Sequence, residues 1–343
     1  MILRVFRARV IPGEEPRLER FVRDDAMAQA LRTPGLLSFQ PAVRETRAGS
    51  ELIIVSGWSG YDDLASASRN LDDPLSPDLG PMLADGHAEH YELVIGEARA
   101  MPLRRAKLRL TRIPIRANAE AAYYETVRAW AEHLLDATGL VAFTLGRRVV
   151  GRQDEIVAVQ VWEDEAALRD AAGPEIEQPM GRLELEKFWS ADPAIEHFDA
   201  LTAVEPRADA PAILLADDSR RYVHATPAAA ALIGRPLARL LTLRVEDLVP
   251  PADRPAVPEL FDQFVAAGSM AGPYVLSRPD GSEVEVRFSA RANAPWPGSH
   301  ASVLAPAREL DDESNDSADV DDPDLDLDRA LAEAGLVARY ATA

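Results

Sequence analysis

The sequence has no cysteine, few aromatic residues and a deficit of basic ones. Without cysteine it has no disulfides, no thiolate metal site and no cysteine nucleophile. Against 57 acidic residues there are 37 lysines and arginines, a formal net charge of −20, which argues against a general binder of nucleic acid or anionic membranes. No apolar run approaches the roughly 18 residues of a membrane span, and the N-terminal MILRVFRARV alternates like a strand, unlike a signal peptide. We expect a soluble, cytoplasmic protein.

The first 200 or so residues contain one pattern twice. ELIIVSGWSGYDDLASAS, which begins at Glu51, returns as EIVAVQVWEDEAALRDAA from Glu155, so that Trp58 and Trp162 correspond. Other pairs match at nearly the same offset: Gly35-Leu-Leu-Ser-Phe39 with Gly139-Leu-Val-Ala-Phe143, Leu3-Arg4 with Leu108-Arg109, and Glu89-His90 with Glu196-His197. A period near 100 indicates domain duplication, because solenoid units have about 20 to 50 residues.

Each copy is predicted to have the order strand, helix, strand, strand, helix, strand. The third strand ends at the repeated tryptophan, and the first helix has an apolar stripe, which we place at Leu18, Phe21 and Val22 in one copy and at Tyr124, Val127 and Trp130 in the other. This order is that of a split βαβ or ferredoxin-like unit. One face of its sheet lacks helices and has to be buried. We therefore expect an α+β fold in which two ferredoxin-like units pair their sheets into one intrachain barrel.

These features resemble the antibiotic-biosynthesis-monooxygenase type of dimeric α+β barrel domain. The resemblance covers residues 1–100 and 106–202. It implies a cofactor-independent monooxygenase-like protein that acts on or binds a polycyclic aromatic, polyketide-type molecule. The family's haem-degrading branch uses an Asn, a Trp and a His. The first strand here has no Asn and the segment Ala65–Arg69 has no Trp, so we reject haem degradation as the leading function.

The candidate catalytic residue is His90, because imidazole titrates near neutral pH and suits proton abstraction. We favour the first copy, since Gly57, just before Trp58, leaves room beside the sheet and Tyr61 supplies a phenol. The candidate substrate-binding residues are Trp58, Tyr61, His87, Trp162 and His197. The alternatives are core packing for both tryptophans and an ordinary polar strand-edge position for His90 and His197. His87 precedes His90 by three residues but no third ligand follows, so we expect no metal site and no cofactor.

Residues 211–306 resemble a PAS domain. The motifs that carry the resemblance follow in order: YVHATPAAAALIG, VEDLVPPADRP, RPDGSEVEVRFSARAN and PGSHASVLAP. It implies a second α+β domain that senses a small molecule, light or redox state, or mediates contacts. Tyr222 and His224 are two residues apart on one strand, so period-two alternation predicts that both face the cavity. A core position is the alternative for His224, and we expect no bound haem.

The segment 309–343 is an acidic tail. Glu309 to Asp328 contains 11 acidic residues and no lysine or arginine, a composition typical of disorder. A short helix near Leu327 and Leu331 is expected after it. The tail either improves solubility or docks on a partner.

Two classes of function remain. One is an oxygenase of aromatic substrates with a PAS sensor or interaction module. The other is a non-catalytic, ligand-responsive regulatory or binding protein. Both take a small aromatic ligand or substrate, and the PAS domain or the acidic tail is the expected contact for a protein partner; we expect no nucleic acid and no membrane partner.

Overall fold

The computed structural model describes residues 1–26, 33–68, 70–95, 106–149, 154–201, 211–294, 298–307 and 325–333. The chain forms two compact units, which divide between Glu205 and Pro206. Among the described residues, no helix has both the length and the apolar character needed to cross a membrane.

The first unit contains both sequence repeats. The first repeat has β1 (Ile2–Val10), α1 (Glu15–Phe21) with a π-helical segment (Val22–Ala26), β2 (Leu36–Thr46), β3 (Gly49–Trp58), α2 (Tyr61–Ala67), a 3₁₀ segment (Pro77–Met82) and β4 (Leu83–Ile95). The second repeat has β5 (Lys107–Pro114), α3 (Glu120–Leu134), β6 (Leu140–Arg148), β7 (Glu155–Trp162), α4 (Glu165–Ala172), α5 (Arg182–Leu185), a 3₁₀ segment (Glu186–Phe188) and β8 (Ala194–Ala200). The described elements thus follow the predicted order in both repeats.

The eight strands close into one barrel of order β1-β3-β2-β8-β5-β7-β6-β4. Within each repeat the first strand is central, and the repeats join where β2 pairs with β8 and β4 with β6. The predicted intrachain α+β barrel is therefore confirmed. Closure buries the helix-free face of each sheet, which would otherwise expose a large apolar surface.

The barrel interior combines an apolar layer with a charged one. The apolar layer contains side chains from both repeats, among them Leu3, Val5, Leu108, Leu110 and Phe198. The charged layer pairs four arginines (Arg7, Arg44, Arg112 and Arg148) with four glutamates (Glu51, Glu89, Glu155 and Glu196). Because each repeat supplies two members of each set, the charges balance across the pseudo-two-fold axis.

The repeated glycines hold α2 and α4 against the sheet. Gly35 and Gly139 have φ of +75° and +77°, a region that favours glycine. A Cβ on Gly35 would lie 2.4 Å from Cβ of Asp63, and one on Gly139 would lie 2.4 Å from Cβ of Ala167. The glycine of the repeated Gly-Leu-x-x-Phe motif is therefore needed where the backbone before β2 or β6 packs closely against a helix.

The second unit is built on a five-stranded antiparallel sheet of order β10-β9-β13-β12-β11. Its elements are β9 (Ala212–Asp217), β10 (Tyr222–Ala225), α6 (Pro227–Ile233), α7 (Leu237–Leu240), two 3₁₀ segments (Val245–Leu248 and Arg254–Ala256), α8 (Val257–Ala267), β11 (Ser269–Ser277), β12 (Glu283–Arg291) and β13 (Ser299–Pro306). Thr226 accepts a hydrogen bond from the Ala229 amide and so caps α6. This is the PAS-like α+β fold that the motif order predicted.

One helix of the acidic tail belongs to the described residues. It is α9 (Leu327–Glu333), and it packs against β12 and β13. Leu327, Ala330 and Leu331 are buried, and Asp328 forms an ion pair with Arg291 of β12. Residues 309–324 of the segment predicted to be disordered lie outside the described residues.

Candidate functional site

The second unit has a cavity of about 150 Å³ between its sheet and α8. Most of the wall is aliphatic and aromatic, with Phe261 and Phe264 of α8 opposite Phe288 of β12. The polar side chains in the wall are those of Tyr222, Tyr274, His300 and Ser302. A largely apolar cavity with a few polar groups is the usual composition of a small-molecule site.

Tyr222 lines this cavity, but His224 is not among its lining residues. The register of β10 shifts between the two, so that Tyr222 is opposite Ala216 and His224 is opposite Leu215. Ala216 lines the cavity, and Leu215, its neighbour in β9, faces the other side of the sheet. The prediction that both residues face the cavity fails for His224, because the bulge resets the alternation. Burial lowers the pKa of His224 to about 4, so this side chain is neutral.

His300 is the histidine in the cavity wall. Its Nε2 is 3.0 Å from Oδ1 of Asp218, and its Nδ1 accepts a hydrogen bond of 3.4 Å from the Asn293 amide. The ring is 5.1 Å from that of Phe261. Both ring nitrogens are engaged, so the carbon edge and face of the ring are left for a ligand. Sequence reasoning identified His300 only as the start of the last strand.

In the first repeat, Arg4 is the centre of a row across three strands. It is directly opposite Ser56 of β3 and His90 of β4, so all three side chains share the helix-facing side of the sheet. Arg4 is fully buried; its Nε and Nη2 donate to the carbonyl oxygen of Leu71 at 3.2 and 3.0 Å, and Nη2 also donates to that of Asp73. Burial lowers its pKa to about 10, so it remains a cation at neutral pH.

His90 is a buried imidazole that is neutral at pH 7. Burial and the positive charge of Arg4 lower its pKa. Its Nε2 has no hydrogen-bond partner among the described residues, and its ring is 5.9 Å from that of Tyr61. A neutral imidazole with a free ring nitrogen can accept a proton.

The other predicted residues of the first repeat are placed differently. Trp58 is fully buried, and its indole N–H donates to Oγ of Ser56 at 3.1 Å, as the packing alternative expects. Gly57 pairs with Leu3 and faces the barrel interior, so the room that it leaves is on the opposite side of β3 from Trp58. His87 is exposed and on the opposite face of β4 from His90, so these two histidines form no pair.

The second repeat contains an equivalent row. Arg109 is directly opposite Gln160 of β7 and His197 of β8. The indole N–H of Trp162 donates to Gln160 at 3.3 Å. His197 has its Nδ1 3.7 Å from the carboxylate of Glu177, and burial followed by the charge of Arg109 lowers its pKa.

Each repeat has a small cavity of about 30 Å³ between sheet and helices. The first is lined by apolar residues with Thr33 and Ser76, and His90, Trp58 and Tyr61 are not among its lining residues. The second is lined by the charged side chain of Arg109 and by several aromatic side chains. The sequence predicted that the two pockets differ in the residues around His90. The observed difference is that Arg109 lines the second cavity, whereas no charged side chain lines the first.

The buried stripe of α3 starts one residue earlier than predicted. Its buried residues are Tyr123, Val127, Ala131 and Leu134. Tyr124 and Trp130 are only partly buried. At the offset that relates Leu3-Arg4 to Leu108-Arg109, Tyr123 is the counterpart of Leu18.

Arg4 and Arg109 are the site residues that sequence reasoning missed. Both were recognised as members of a repeated Leu-Arg pair, but neither was considered as a binding group. Their burial could have been predicted from the sequence. Strand alternation places each arginine on the same face of its strand as apolar residues that are buried, and it does so in both copies.

Among the described residues, no group of three or more His, Asp or Glu side chains is placed to hold a metal ion. His87 and His90, the spacing that sequence reasoning considered for a metal pair, point to opposite faces of β4.

No family model and no curated protein matches this sequence. Solved structures are similar in fold. A candidate monooxygenase from Fusobacterium nucleatum is 14% identical, with 58% of this chain and 92% of that chain covered and a TM-score of 0.49. A candidate monooxygenase from Lactobacillus acidophilus is 10% identical, with 59% and 94% covered and a TM-score of 0.48. A PAS domain from Colwellia psychrerythraea is 14% identical, with 29% and 87% covered and a TM-score of 0.27.

Proposed function

We propose that this protein is a ligand-responsive binding protein whose PAS-like unit holds a small aromatic molecule. The observation that carries the proposal is the cavity of about 150 Å³ between the sheet and α8, which is much larger than the cavity of about 30 Å³ described in each repeat of the barrel. A dry, apolar cavity of roughly 150 Å³ is sufficient for a benzene-sized ring. The ligand we infer therefore has one aromatic ring.

The cavity wall also suggests where a polar group of that ligand would bind. Tyr222, Tyr274 and Ser302 have hydroxyl groups in the wall, of which we assign that of Tyr274 to the ligand, whereas both nitrogens of His300 are already engaged. The phenylalanine rings of the wall suit edge or stacked contacts with an aromatic ligand. A phenol-like molecule matches this combination.

The test is a calorimetric titration of the full chain with phenol, after native mass spectrometry has shown whether a ligand is retained. Ala290 is a buried residue of the cavity wall, and Ala290→Phe fills the space. Ala271→Phe, at an exposed position of β11, adds the same ring outside the cavity. We expect phenol to bind the wild type and Ala271→Phe equally well. Ala290→Phe should bind phenol at least about tenfold more weakly, because the free energy of burying the phenol ring, which equals that of several CH₂ groups, is lost when the space is filled.

Equal binding by both variants contradicts the proposal. Tyr274→Phe provides a second test that does not add volume. It should weaken binding of phenol by about threefold to tenfold, the value of one neutral hydrogen bond, and leave binding of toluene unchanged. Equal loss for both probes, or no loss for phenol, contradicts the proposed polar contact.

A second candidate function is oxygenation of an aromatic substrate in the barrel. The observation that favours it is the neutral His90 imidazole, with a free Nε2, beside the Arg4 cation. In such a reaction His90 would take the proton of a phenol or enol, Tyr61 would pack on the substrate, and Arg4 would stabilise the oxyanion. A polycyclic substrate exceeds the described barrel cavities, so the helices would have to move apart to admit it.

We place the two barrel units at residues 1–100 and 106–202, the PAS-like domain at 211–306 and the acidic tail at 309–343. The proposed location is the cytoplasm. A protein partner, if one binds, would contact the PAS-like domain or the acidic tail.

A further inference from the structure

The second repeat of the barrel contains a small cavity with a distinctive set of hydrogen-bond donors. It lies between the sheet and helices α3 and α5, and its volume is about 30 Å³. Such a volume holds roughly two water-sized groups, which is the size of the two oxygen atoms of a carboxylate.

Three residues of the wall have buried donors without partners. These donors are Nε and Nη1 of Arg109, the hydroxyl of Tyr123 and the indole Nε1 of Trp189, and none of them has a hydrogen-bond partner among the described residues. All three side chains are at least nine-tenths buried. An unsatisfied buried polar group costs about 1–3 kcal/mol, and more when it is charged. An acceptor in the cavity would remove several of these costs at once.

The wall itself has no negative charge; Glu177, whose charge raises the pKa of Arg109 against the effect of burial, is not one of its residues. None of its lining residues is Asp or Glu. The guanidinium of Arg109 donates one hydrogen bond, from Nη2 to the carbonyl oxygen of Gln178. The cavity is therefore complementary to an anion, because the wall contains a cation and further donors.

The first repeat lacks this arrangement. There Arg4 donates through both Nε and Nη2, to the carbonyl oxygens of Leu71 and Asp73, and only Nη1 is unpaired. The position of Tyr123 is occupied by Leu18. The first cavity is not lined by Arg4 at all. The two copies of one fold have thus diverged at this site.

We propose that the cavity of the second repeat binds the carboxylate of a small organic acid. The carboxylate forms an ion pair with Arg109 and accepts hydrogen bonds from Tyr123 and Trp189. Because the cavity is so small, the acid has to be about the size of acetate, and its methyl group contacts the aromatic wall, where the rings of Trp130 and Phe143 meet edge to face at 6.0 Å. This site is independent of the PAS cavity proposed above, since it lies in the other unit.

The experiment is an NMR titration of the full-length, ¹⁵N-labelled protein with acetate, compared with acetamide at equal ionic strength. The reporter is the indole N–H signal of Trp189, assigned by its disappearance in Trp189→Phe. Acetate should shift this signal in a saturable way, and acetamide, which has the same shape without the charge, should not. Arg109→Met should weaken binding of acetate by roughly tenfold or more, the value of a hydrogen bond to a charged group.

The matched control is Arg4→Met, which removes the equivalent arginine of the first repeat and should leave binding of acetate unchanged. Tyr123→Phe keeps the buried ring and should weaken binding about threefold to tenfold. The proposal is overturned if acetate and acetamide behave alike, if inorganic phosphate saturates the site better than acetate, or if folded Arg109→Met binds acetate as the wild type does. If Arg109→Met does not fold, the Tyr123→Phe result and the contrast between the two probes decide the question.

Discussion

Arg7 and Glu196, which are 189 positions apart in the chain, form an ion pair inside the barrel, with Nη1 of Arg7 3.0 Å from Oε1 of Glu196. Their counterparts after exchange of the two repeats, Arg112 and Glu89, pair at 2.7 Å. Each repeat therefore supplies an arginine to a glutamate of the other. The two ion pairs are related to each other by the sequence repeat, and both of them join one half of the barrel to the other.

Glu196→Gln should destabilise the barrel strongly. The substitution removes the carboxylate that Arg7, Arg44 and Arg112 share. Breaking such a partly buried network should lower the free energy of unfolding by about 3 kcal/mol. The measurement is urea unfolding followed by tryptophan fluorescence, because four of the five tryptophans lie in the first unit. Glu92→Gln, which breaks an exposed pair with Arg147, is the control and should cost less than about 1 kcal/mol.

The same carboxylate should make the barrel sensitive to acid. Burial by itself would raise the pKa of Glu196, but its hydrogen bond with Arg7 and the charges of Arg7, Arg112 and Arg44 lower it to about 2. An unfolded glutamate has a pKa of about 4.3. Its stabilising contribution is therefore complete above about pH 4.3 and is lost as the pH falls towards 2. Wild type and Glu196→Gln should converge in stability over this interval; a constant difference between them would refute the assignment.

His224 should make the second unit sensitive to milder acid. Burial lowers the pKa of His224 to about 4, whereas an unfolded histidine has a pKa of about 6.5. Between these values the unfolded chain binds the extra proton, so stability falls as the pH drops from about 6.5 to 4, by at most about 1.4 kcal/mol per pH unit. Calorimetry of His224→Leu should show a weaker pH dependence than the wild type. His133→Gln, at an exposed position of α3, should keep the full dependence.

Gly139→Ala should disrupt the contact between the sheet and α4. The new methyl group meets Cβ of Ala167, and the residue keeps φ near +77°. Left-handed strain costs about 1–2 kcal/mol and overpacking about 1–3 kcal/mol. The added substitution Ala167→Gly should recover the overpacking part alone. Gly49→Ala, with φ of +110° and no neighbour within 4 Å, should show only the strain.

If the barrel is an oxygenase, His90→Ala should lower turnover by about 10² to 10⁴, the contribution of a general base. His197→Ala should have little effect, and neither substitution should change the melting temperature by more than a few degrees, since about 1 kcal/mol shifts it by roughly 2–4 °C. The lowered pKa of His90 keeps it neutral at pH 7, so the rate should be flat there and fall only below about pH 6.5. Oxygen consumption with an aromatic phenol as substrate provides the measurement. Equal losses from the two histidine substitutions would contradict the role of His90.

Much of the architecture followed from the sequence. The repeated Trp58 and Trp162, at matching offsets from the other repeated pairs, predicted two copies of one fold. The helix-free face of each predicted sheet then required burial, and closing the sheets into one barrel was the way to achieve it. The PAS-like fold followed from turn and cap signals in order, such as Thr226-Pro227. These inferences succeeded because strand alternation and helix caps are local properties of the chain.

The sites depended on the tertiary structure. A bulge in β10 turned His224 away from the cavity, and the alternation of β4 separated His87 from His90. His300 became a cavity residue only because β13 pairs with β9. The sequence by itself determined that Arg4 and Arg109 are equivalent, but not that the first is held by two carbonyl oxygens and the second by one. Those acceptors are 67 to 69 positions away along the chain, and a hydrogen bond between distant segments is decided only when packing brings their atoms to within about 3 Å of each other.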